Sequence, residues 1–294
     1  MFSLQYEGDL FRPPSEAGSL ILQATIGCSH NRCAFCAMYK EKKFRERDLS
    51  ELEQEIWLAA RFQPHTRKVF LADGNALTLE TEKLLQILQV LDKAFPGLER
   101  VALYCNPHDL LQKEVPELTL LRRHKLKLAY LGVESGSEAV LRAINKGVTP
   151  EQLVRGAARV KQAGISLSVT VINGLAGREG TVEHAAVTAR LLNEIDPDYL
   201  GLLSLMVIPG TITHRQVLNG SITVLNSWEM LQEIRQLVAG LSLSYCVFRA
   251  NHASNYLPLK AILSREQESL LLSLDQILKK KAPRVLRSEE HRRL

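Results

Sequence analysis

The sequence predicts an α/β fold in which a parallel sheet is covered by helices. Short apolar runs alternate with longer segments of helical periodicity, and the strand–helix unit repeats roughly every 30–35 residues. Neither a proline-rich linker nor a change of composition divides the chain, so one continuous α/β domain is the preferred interpretation. Apolar runs of this kind are typical of parallel strands, because both faces of such a sheet are buried.

Six strands are predicted from apolar runs rich in Val, Ile and Leu: Ser19–Ile26, Lys68–Ala72, Arg100–Tyr104, Lys127–Val133, Ile165–Ile172 and Tyr199–Val207. Helices are predicted where apolar residues share a face: Leu49–Arg61, Glu80–Phe95, Pro116–His124, Glu138–Ile144, Pro150–Ala163, Thr181–Ile195, Trp228–Leu241 and Arg265–Lys281. Such units build an open doubly wound sheet or a partial barrel, and both place ligands at the carboxyl ends of the strands.

Composition and charge exclude several classes of protein. Of the 294 residues, 46% are hydrophobic and 23% charged, as in an ordinary globular domain rather than a disordered or fibrous chain. The net charge of +5 is too small to indicate a nucleic-acid partner. The amino terminus has no signal-peptide pattern and no apolar run reaches membrane-spanning length, so a cytoplasmic protein is expected. The charged carboxyl-terminal run 279–294 is predicted to be a solvated tail.

Three of the five cysteines, Cys28, Cys33 and Cys36, lie within nine residues directly after the first strand. Three thiolates on one loop can bind a soft metal or three corners of an iron–sulfur cubane, with a fourth position left open. Two alternatives remain at this point. The loop could hold zinc with His30 or Cys105 as the fourth ligand, or its thiols could be unmetallated.

The cysteine loop resembles the radical S-adenosylmethionine (radical SAM) motif, commonly CxxxCxxC after the first strand of a partial (β/α)6 barrel. The spacing from Cys28 to Cys33 is one residue longer here. The resemblance implies a partial (β/α)6 TIM-like barrel in which Cys28, Cys33 and Cys36 hold a [4Fe–4S] cluster. It also implies that the remaining iron binds S-adenosylmethionine and that Phe35 packs near the adenine.

The end of the second predicted strand carries Asp73-Gly74-Asn75. This segment is similar to the glycine-rich motif of the same family, which receives the methionine amino group. Gly74 would allow close approach of the backbone, and Asp73 or Asn75 would accept hydrogen bonds from an ammonium group. The alternative is an ordinary strand-to-helix turn.

The fourth predicted strand ends in GVESGS, followed by EAVLRAINKGVT. This stretch resembles the GxESGS…INRG pattern of the branch that contains the coproporphyrinogen dehydrogenases, the methylthiotransferases and the Elongator catalytic subunit. The resemblance places Glu134 and Ser135 near the ribose and methionine parts of the cofactor. A serine here can also cap the next helix. Ile172 and Gly174, at the end of the fifth strand, match the centre of the adenine-contacting GxIxGxxE motif, whereas Gly177 replaces its glutamate.

The resemblance implies reductive cleavage of S-adenosylmethionine to a 5′-deoxyadenosyl radical, which abstracts hydrogen from a small-molecule or peptide substrate. A flavodoxin or ferredoxin is expected as electron donor, and neither a membrane nor a nucleic-acid partner is expected. Residues 1–18 are interpreted as an extension, 19–212 as the barrel core, and 213–294 as an extension that closes the barrel without being an independent domain. A zinc-stabilised α/β barrel and a cluster-binding protein without turnover are the competing hypotheses.

Two polar segments are candidates for substrate contact. The first follows the third strand and contains Asn106 and His108. The second, within 245–258, contains Arg249, which suits a carboxylate or phosphate, and His252. The two remaining cysteines, Cys105 and Cys246, are too few to hold a second cluster.

Overall fold

The structure is a computed structural model that describes residues 4–282 and 285–293. It is α/β, with a mostly parallel sheet of eight strands and a separate two-stranded pair. The strands are β1 (Leu20–Gln23), β2 (Thr25–Ile26), β3 (Arg45–Glu46), β4 (Lys68–Ala72), β5 (Arg100–Cys105), β6 (Leu126–Glu134), β7 (Ser166–Asn173), β8 (Tyr199–Ser204), β9 (Val247–Arg249) and β10 (Lys260–Ile262). All six predicted strands are present.

Ten helices of the described residues follow or separate these strands along the chain. They are α1 (Leu49–Phe62), α2 (Thr81–Ala94), α3 (Pro107–Gln112), α4 (Val115–Arg123), α5 (Glu138–Ala143), α6 (Pro150–Gln162), α7 (Gly177–Ile195), α8 (Ile212–Leu218), α9 (Ser227–Ala239) and α10 (Leu263–Lys280). Short 3-10 helices occur at Pro14–Glu16, Ala76–Thr78 and Glu289–His291. Helix α1 begins where the Asp48 carboxylate accepts hydrogen bonds from the N–H groups of Ser50 and Glu51.

The chain forms two compact units. The first contains the residues up to 31, 38–131 and 155–167. Within it, β1, β4, β5 and β6 pair in that order, and every pair is parallel. One face of these strands carries a buried apolar cluster formed by Ile21, Phe70, Ala72, Ala102, Leu128 and Tyr130. The opposite face is also buried, as expected for parallel strands covered by helices.

The second unit contains residues 32–37, 132–154 and the chain from 168 onward. Strands β7, β8 and β9 are parallel neighbours, and β10 is antiparallel to β9. Helix α7 packs against α9, which in turn contacts α10. The predicted division at residues 18 and 212 stays a prediction. No helix of residues 4–282 and 285–293 is long and apolar enough to cross a membrane.

The carboxyl-terminal segment differs from the predicted solvated tail at Arg292. Arg292 is only 4% exposed, and its guanidinium donates to the carbonyl oxygens of Leu205 and Ser254 at 2.7 and 2.6 Å. The same guanidinium lies over the Tyr256 ring, 4.3 Å from its centroid. The prediction holds for most described residues of this segment, which are exposed, but not for Arg292, because its carbonyl partners lie far away in sequence.

Candidate active site

The cysteine loop follows the two-residue strand β2. Cys28, Cys33 and Cys36 are each partly exposed, and none of them is in a disulfide. Cys28 belongs to the first unit, and Cys33 and Cys36 belong to the second. Within the described ranges, 4–282 and 285–293, no three or more Cys, His, Asp or Glu side chains are arranged as a preformed metal site. The loop itself is held by contacts inside each unit.

In the first unit, Gly74 lies directly against Cys28. The Gly74 N–H donates to the Gly27 carbonyl at 2.9 Å. A Cβ atom added at Gly74 would lie 2.4 Å from Cys28 Cβ and 2.6 Å from Cys28 Cα, well inside the distance that two non-bonded carbon atoms tolerate. Glycine at position 74 therefore allows the end of β4 to pack on the cysteine loop.

The neighbouring Asp73 is fully buried and holds the same loop. Its carboxylate accepts hydrogen bonds from Gly27 N at 2.9 Å, Gln23 Nε2 at 3.2 Å and Lys42 Nζ at 3.1 Å. Its backbone has a φ of 39°, a left-handed conformation that is uncommon outside glycine. Since three donors in this unit already use the carboxylate, Asp73 fixes both the entry to the cysteine loop and the chain that returns from it.

Asn75 connects the cysteine loop to α3. Its Oδ1 accepts from Ser29 N at 3.0 Å, and its Nδ2 donates to Asp109 Oδ2 at 3.0 Å. Asp109 also accepts from Asn106 N in a capping box. Burial raises the pKa of Asp109 to about 6, although these hydrogen bonds favour its ionised form. The Asn106 Nδ2 lies 3.7 Å from Cys28 Sγ.

His108 is exposed on α3. Its ring centroid lies 6.2 Å from that of His30, on the cysteine loop. Asn106 and His108 thus occupy the same region of the first unit as Cys28. Cys105, by contrast, is buried and its thiol donates to the Tyr130 carbonyl, so it is engaged in the strand layer.

In the second unit, Glu134 ends β6 and folds back over Gly132. Its Oε1 lies 2.7 Å from Lys146 Nζ, and both residues are 7% exposed. A Cβ atom at Gly132 would meet this oxygen at 2.2 Å, so glycine is required beneath the carboxylate. Glu134 has a φ of 64°. A strained backbone at a buried charged residue is typical of functional sites.

Ser135 is fully buried and accepts a hydrogen bond from Ser137 N at 3.0 Å. The cap of α5 is instead Ser137, whose hydroxyl accepts from Val140 N. The capping role that Ser135 or Ser137 could fill therefore falls to Ser137.

Two further segments hold the second half of the cysteine loop. Ala34 N donates to the Ile144 carbonyl at 2.8 Å, and Asn145 Nδ2 donates to the Arg32 carbonyl at 3.2 Å. At the start of α8, Thr213 N donates to the Ala34 carbonyl at 3.1 Å. The segment that carries Phe35, which is half-buried, is thus bonded on both sides within its unit.

Ile172 and Gly174 lie at the end of β7. Ile172 is 9% exposed, and Gly174 has a φ of 84°, a conformation that favours glycine. The two residues thus combine an apolar side chain with a bare backbone.

The candidate substrate residues lie in the second unit. Arg249 is exposed at the end of β9, in register with Gly201 of β8, which is itself in register with Thr170 of β7. Residues in register on neighbouring strands share a face of the sheet. His252 is half-buried, with its Nδ1 2.9 Å from Ser254 Oγ, and burial together with the nearby Arg287 charge lowers its pKa.

The residues of the cysteine loop suit an iron–sulfur cluster. The three cysteines lie within nine residues and none of them is in a disulfide. Thiolate is the ligand that iron–sulfur clusters prefer. Because Gly74 has no side chain, Cys28 fits beside it, and the backbone at residue 27 is bonded within the first unit. The backbone at residues 32 and 34 is bonded within the second unit. The donor set therefore fits the cluster that the resemblance implies.

Several residues that shape this site were not identified from the sequence. They are Gln23, Lys146 and Thr213. Lys146 lies inside the INKG stretch and carried a usable signal, since a lysine between apolar residues near a strand-end glutamate suggests an ion pair. The others gave no local signal, because their partners are distant in the chain.

The sequence model of the Radical SAM superfamily matches residues 22–192, more than half of the chain. A tRNA-2-methylthio-N(6)-dimethylallyladenosine synthase of Prosthecochloris aestuarii is 25% identical over 243 residues, which are 80% of this chain and 53% of that protein. The heme chaperone HemW of Bacillus subtilis is 22% identical over 66% of this chain and 52% of its own length. The chain spans about half the length of these curated relatives.

Among solved structures, coproporphyrinogen III oxidase (HemN) from Escherichia coli superposes with a TM-score of 0.59 at 21% identity, over 75% of this chain and 51% of that one. At this identity the likeness concerns the fold, and it confirms the predicted fold class.

Proposed function

This chain belongs to the radical SAM superfamily, and from that premise we propose that it cleaves S-adenosylmethionine reductively and uses the resulting radical on a small-molecule or peptide substrate. The cofactors of the family are a [4Fe–4S] cluster and S-adenosylmethionine. When bound and reduced, the cluster supplies the electron that splits S-adenosylmethionine into methionine and a 5′-deoxyadenosyl radical. The observation that carries the proposal is the cysteine loop, held at residues 27, 32 and 34 by the ends of the strands and helices around it.

In this proposal Cys28, Cys33 and Cys36 are the cluster ligands, and Phe35 packs beside the adenine. Gly74 presents backbone to the methionine amino group. Asp73 and Asn75 contribute by holding the loop, because their side chains are bonded to Gly27 and Ser29. These contacts favour indirect support of the cofactor over direct contact for both residues.

Glu134, Ser135, Ile172 and Gly174 complete the proposed cofactor site. Lys146 orients the Glu134 carboxylate, which in this proposal binds the ribose or methionine portion of the cofactor. Ile172 suits one face of an adenine, and Gly174 contributes by forming the turn directly after it, with its N–H bonded to Glu233. These residues are buried, so the site they form would admit little water during the reaction.

The substrate side of the proposal rests on Arg249, with Asn106, His108 and His252 as further candidates. Arg249 is exposed and lies in register with Gly201, which has no side chain to cover it. A guanidinium in such a place suits a carboxylate or phosphate on the substrate.

The proposed electron donor is a flavodoxin or ferredoxin. Lys40 and Lys43, close in sequence to the cysteine loop, are exposed and offer positive charge to an acidic protein, whereas Lys42 is engaged with Asp73. The proposal includes the cytoplasm as compartment, because a reducing environment preserves cluster thiolates.

The test is metal analysis after anaerobic purification and reconstitution. Wild-type protein should contain about four irons and four sulfides per chain. Replacement of Cys28, Cys33 or Cys36 by alanine should abolish this content. Cys246→Ala is the matched control, since Cys246 is buried and its pKa is raised to about 12 by burial and by Asp196 and Asp198. A colourless protein that contains zinc instead would refute the proposal.

A further inference from the structure

Glu233 is a buried carboxylate that the proposed site does not use. It belongs to α9, yet it lies at the end of β7, and it is 1% exposed. Gly174 N donates to Glu233 Oε1 at 2.7 Å, and His184 Nδ1 lies 3.1 Å from the same oxygen. Thr181 donates its hydroxyl to Oε2. Polar groups from β7 and α7 therefore converge on one side chain of α9.

Helix α9 also contacts the bare α carbon of Gly174. A Cβ atom at Gly174 would lie 2.4 Å from Met230 Cε, and Met230 is one turn before Glu233 on the same helix. Both the N–H and the α carbon of Gly174 are thus in contact with α9. Gly174 has a left-handed φ of 84°, which lies outside the strand conformation of β7. The two contacts with α9 therefore stabilise the turn that follows the strand.

A carboxylate without solvent is costly unless several donors compensate for the lost hydration. Here the backbone N–H, the hydroxyl and the imidazole supply that compensation. An apolar residue would fill the same position between Met230 and Leu237 on the buried face of α9 at lower cost. The buried acceptor at this position therefore points to a task, which is to hold the N–H of Gly174 in one orientation.

We propose that Glu233 is a positioning residue for the nucleoside part of S-adenosylmethionine, acting through Gly174. By fixing the turn after β7 at Gly174, it would place Ile172 and the backbone of residues 172 and 173 against the adenine. This inference rests on the proposed function. It also accounts for Gly177, which replaces the glutamate of the local motif, because the carboxylate at this turn comes from another helix.

The test uses the reconstituted full chain and measures binding of two probes, S-adenosylmethionine and 5′-methylthioadenosine, which lacks the amino-acid portion. Glu233→Ala should weaken both probes about tenfold with unchanged iron content. Glu233→Gln, whose amide oxygen still accepts from Gly174, should retain most of the affinity. Gln232→Ala, an exposed neighbour on α9, should match the wild type.

A role confined to folding would lower the melting temperature of Glu233→Ala while its affinity for 5′-methylthioadenosine stayed at the wild-type value, and that result would overturn the inference. If the alanine variant does not fold, Glu233→Asp decides, because its shorter side chain cannot reach Gly174 in the same way. Wild-type affinity in that variant would also overturn the inference. A wild-type protein that holds the cluster yet binds neither probe would refute the proposed function and this inference together.

Discussion

Lys146 Nζ lies 2.7 Å from Glu134 Oε1, in an ion pair almost excluded from solvent. Lys146 directly follows Ile144 and Asn145 in the chain. The Ile144 carbonyl accepts from Ala34 N, and the Asn145 side chain donates to the Arg32 carbonyl. The pair thus links the end of β6 to the segment between the proposed cluster ligands Cys33 and Cys36.

Lys146→Met should destabilise the protein by about 3–5 kcal/mol, because it leaves the Glu134 carboxylate buried without its counter-ion. Urea denaturation measures this loss. Lys279→Met, at an exposed position on α10, is the control and should change stability by less than about 0.5 kcal/mol. Equal effects of the two variants would mean that the ion pair contributes nothing specific.

Gly74→Ala should prevent cluster assembly, because its methyl group would collide with Cys28. Gly97→Ala is matched to it, since a Cβ atom at Gly97 has no neighbour within 4 Å. Iron content after reconstitution is the measurement. The expected result is near-zero iron for the first variant and wild-type iron for the second, and full iron in both would contradict the proposed packing.

The raised pKa of Asp109 predicts that the stability of the protein depends on pH. Its pKa is raised from 3.8 to about 6 in the folded protein, so between these values the native state binds more protons than the unfolded state. Stability contributed by this group should therefore fall as pH rises from about 4 to 6, by on the order of 3 kcal/mol in total, and stay level above pH 6. Asp109→Asn should remove this slope in urea titrations at stepped pH. An unchanged slope would show that Asp109 is not its source.

Arg292→Ala should release the carboxyl-terminal segment from β8. The variant loses hydrogen bonds to Leu205 and Ser254 and leaves their carbonyl groups without this donor, a loss of about 3 kcal/mol. Arg293→Ala, next to it and exposed, should have little effect. Limited proteolysis after residue 285 provides a second readout, and equal cleavage rates in the two variants would contradict the anchoring role.

Arg249→Ala should keep full iron content and the slow formation of 5′-deoxyadenosine without substrate, because Arg249 is proposed to contact substrate only. Iron analysis and chromatography of the reduced protein check both quantities. Loss of the cluster in this variant would assign Arg249 to the scaffold instead.

The sequence was sufficient for the fold class and the main strands, because apolar runs such as KVFLA and SLSVTVI remain visible without tertiary information. It missed α3 and α8, which are six and seven residues long, although α5, also six residues long, was predicted. It also missed the short pair formed by β9 and β10.

The candidate site shows the same limit. The cysteine spacing and the motifs at the strand ends were readable because they are local. The hydrogen bond from Gly27 to Asp73 joins residues 46 positions apart, and the bond from Gly174 to Glu233 joins residues 59 apart. Such contacts depend on how the elements pack, so the hydrogen bonds of the Asp73 carboxylate to the loop could not be predicted from the sequence.

The most direct test of the central proposal is the yield of 5′-deoxyadenosine when the reconstituted protein is reduced with dithionite in the presence of S-adenosylmethionine. The expected result is equimolar 5′-deoxyadenosine and methionine from the wild type, and neither product from Cys33→Ala. A protein that holds about four irons per chain and never forms 5′-deoxyadenosine would contradict the account, because it would bind the cluster without turnover.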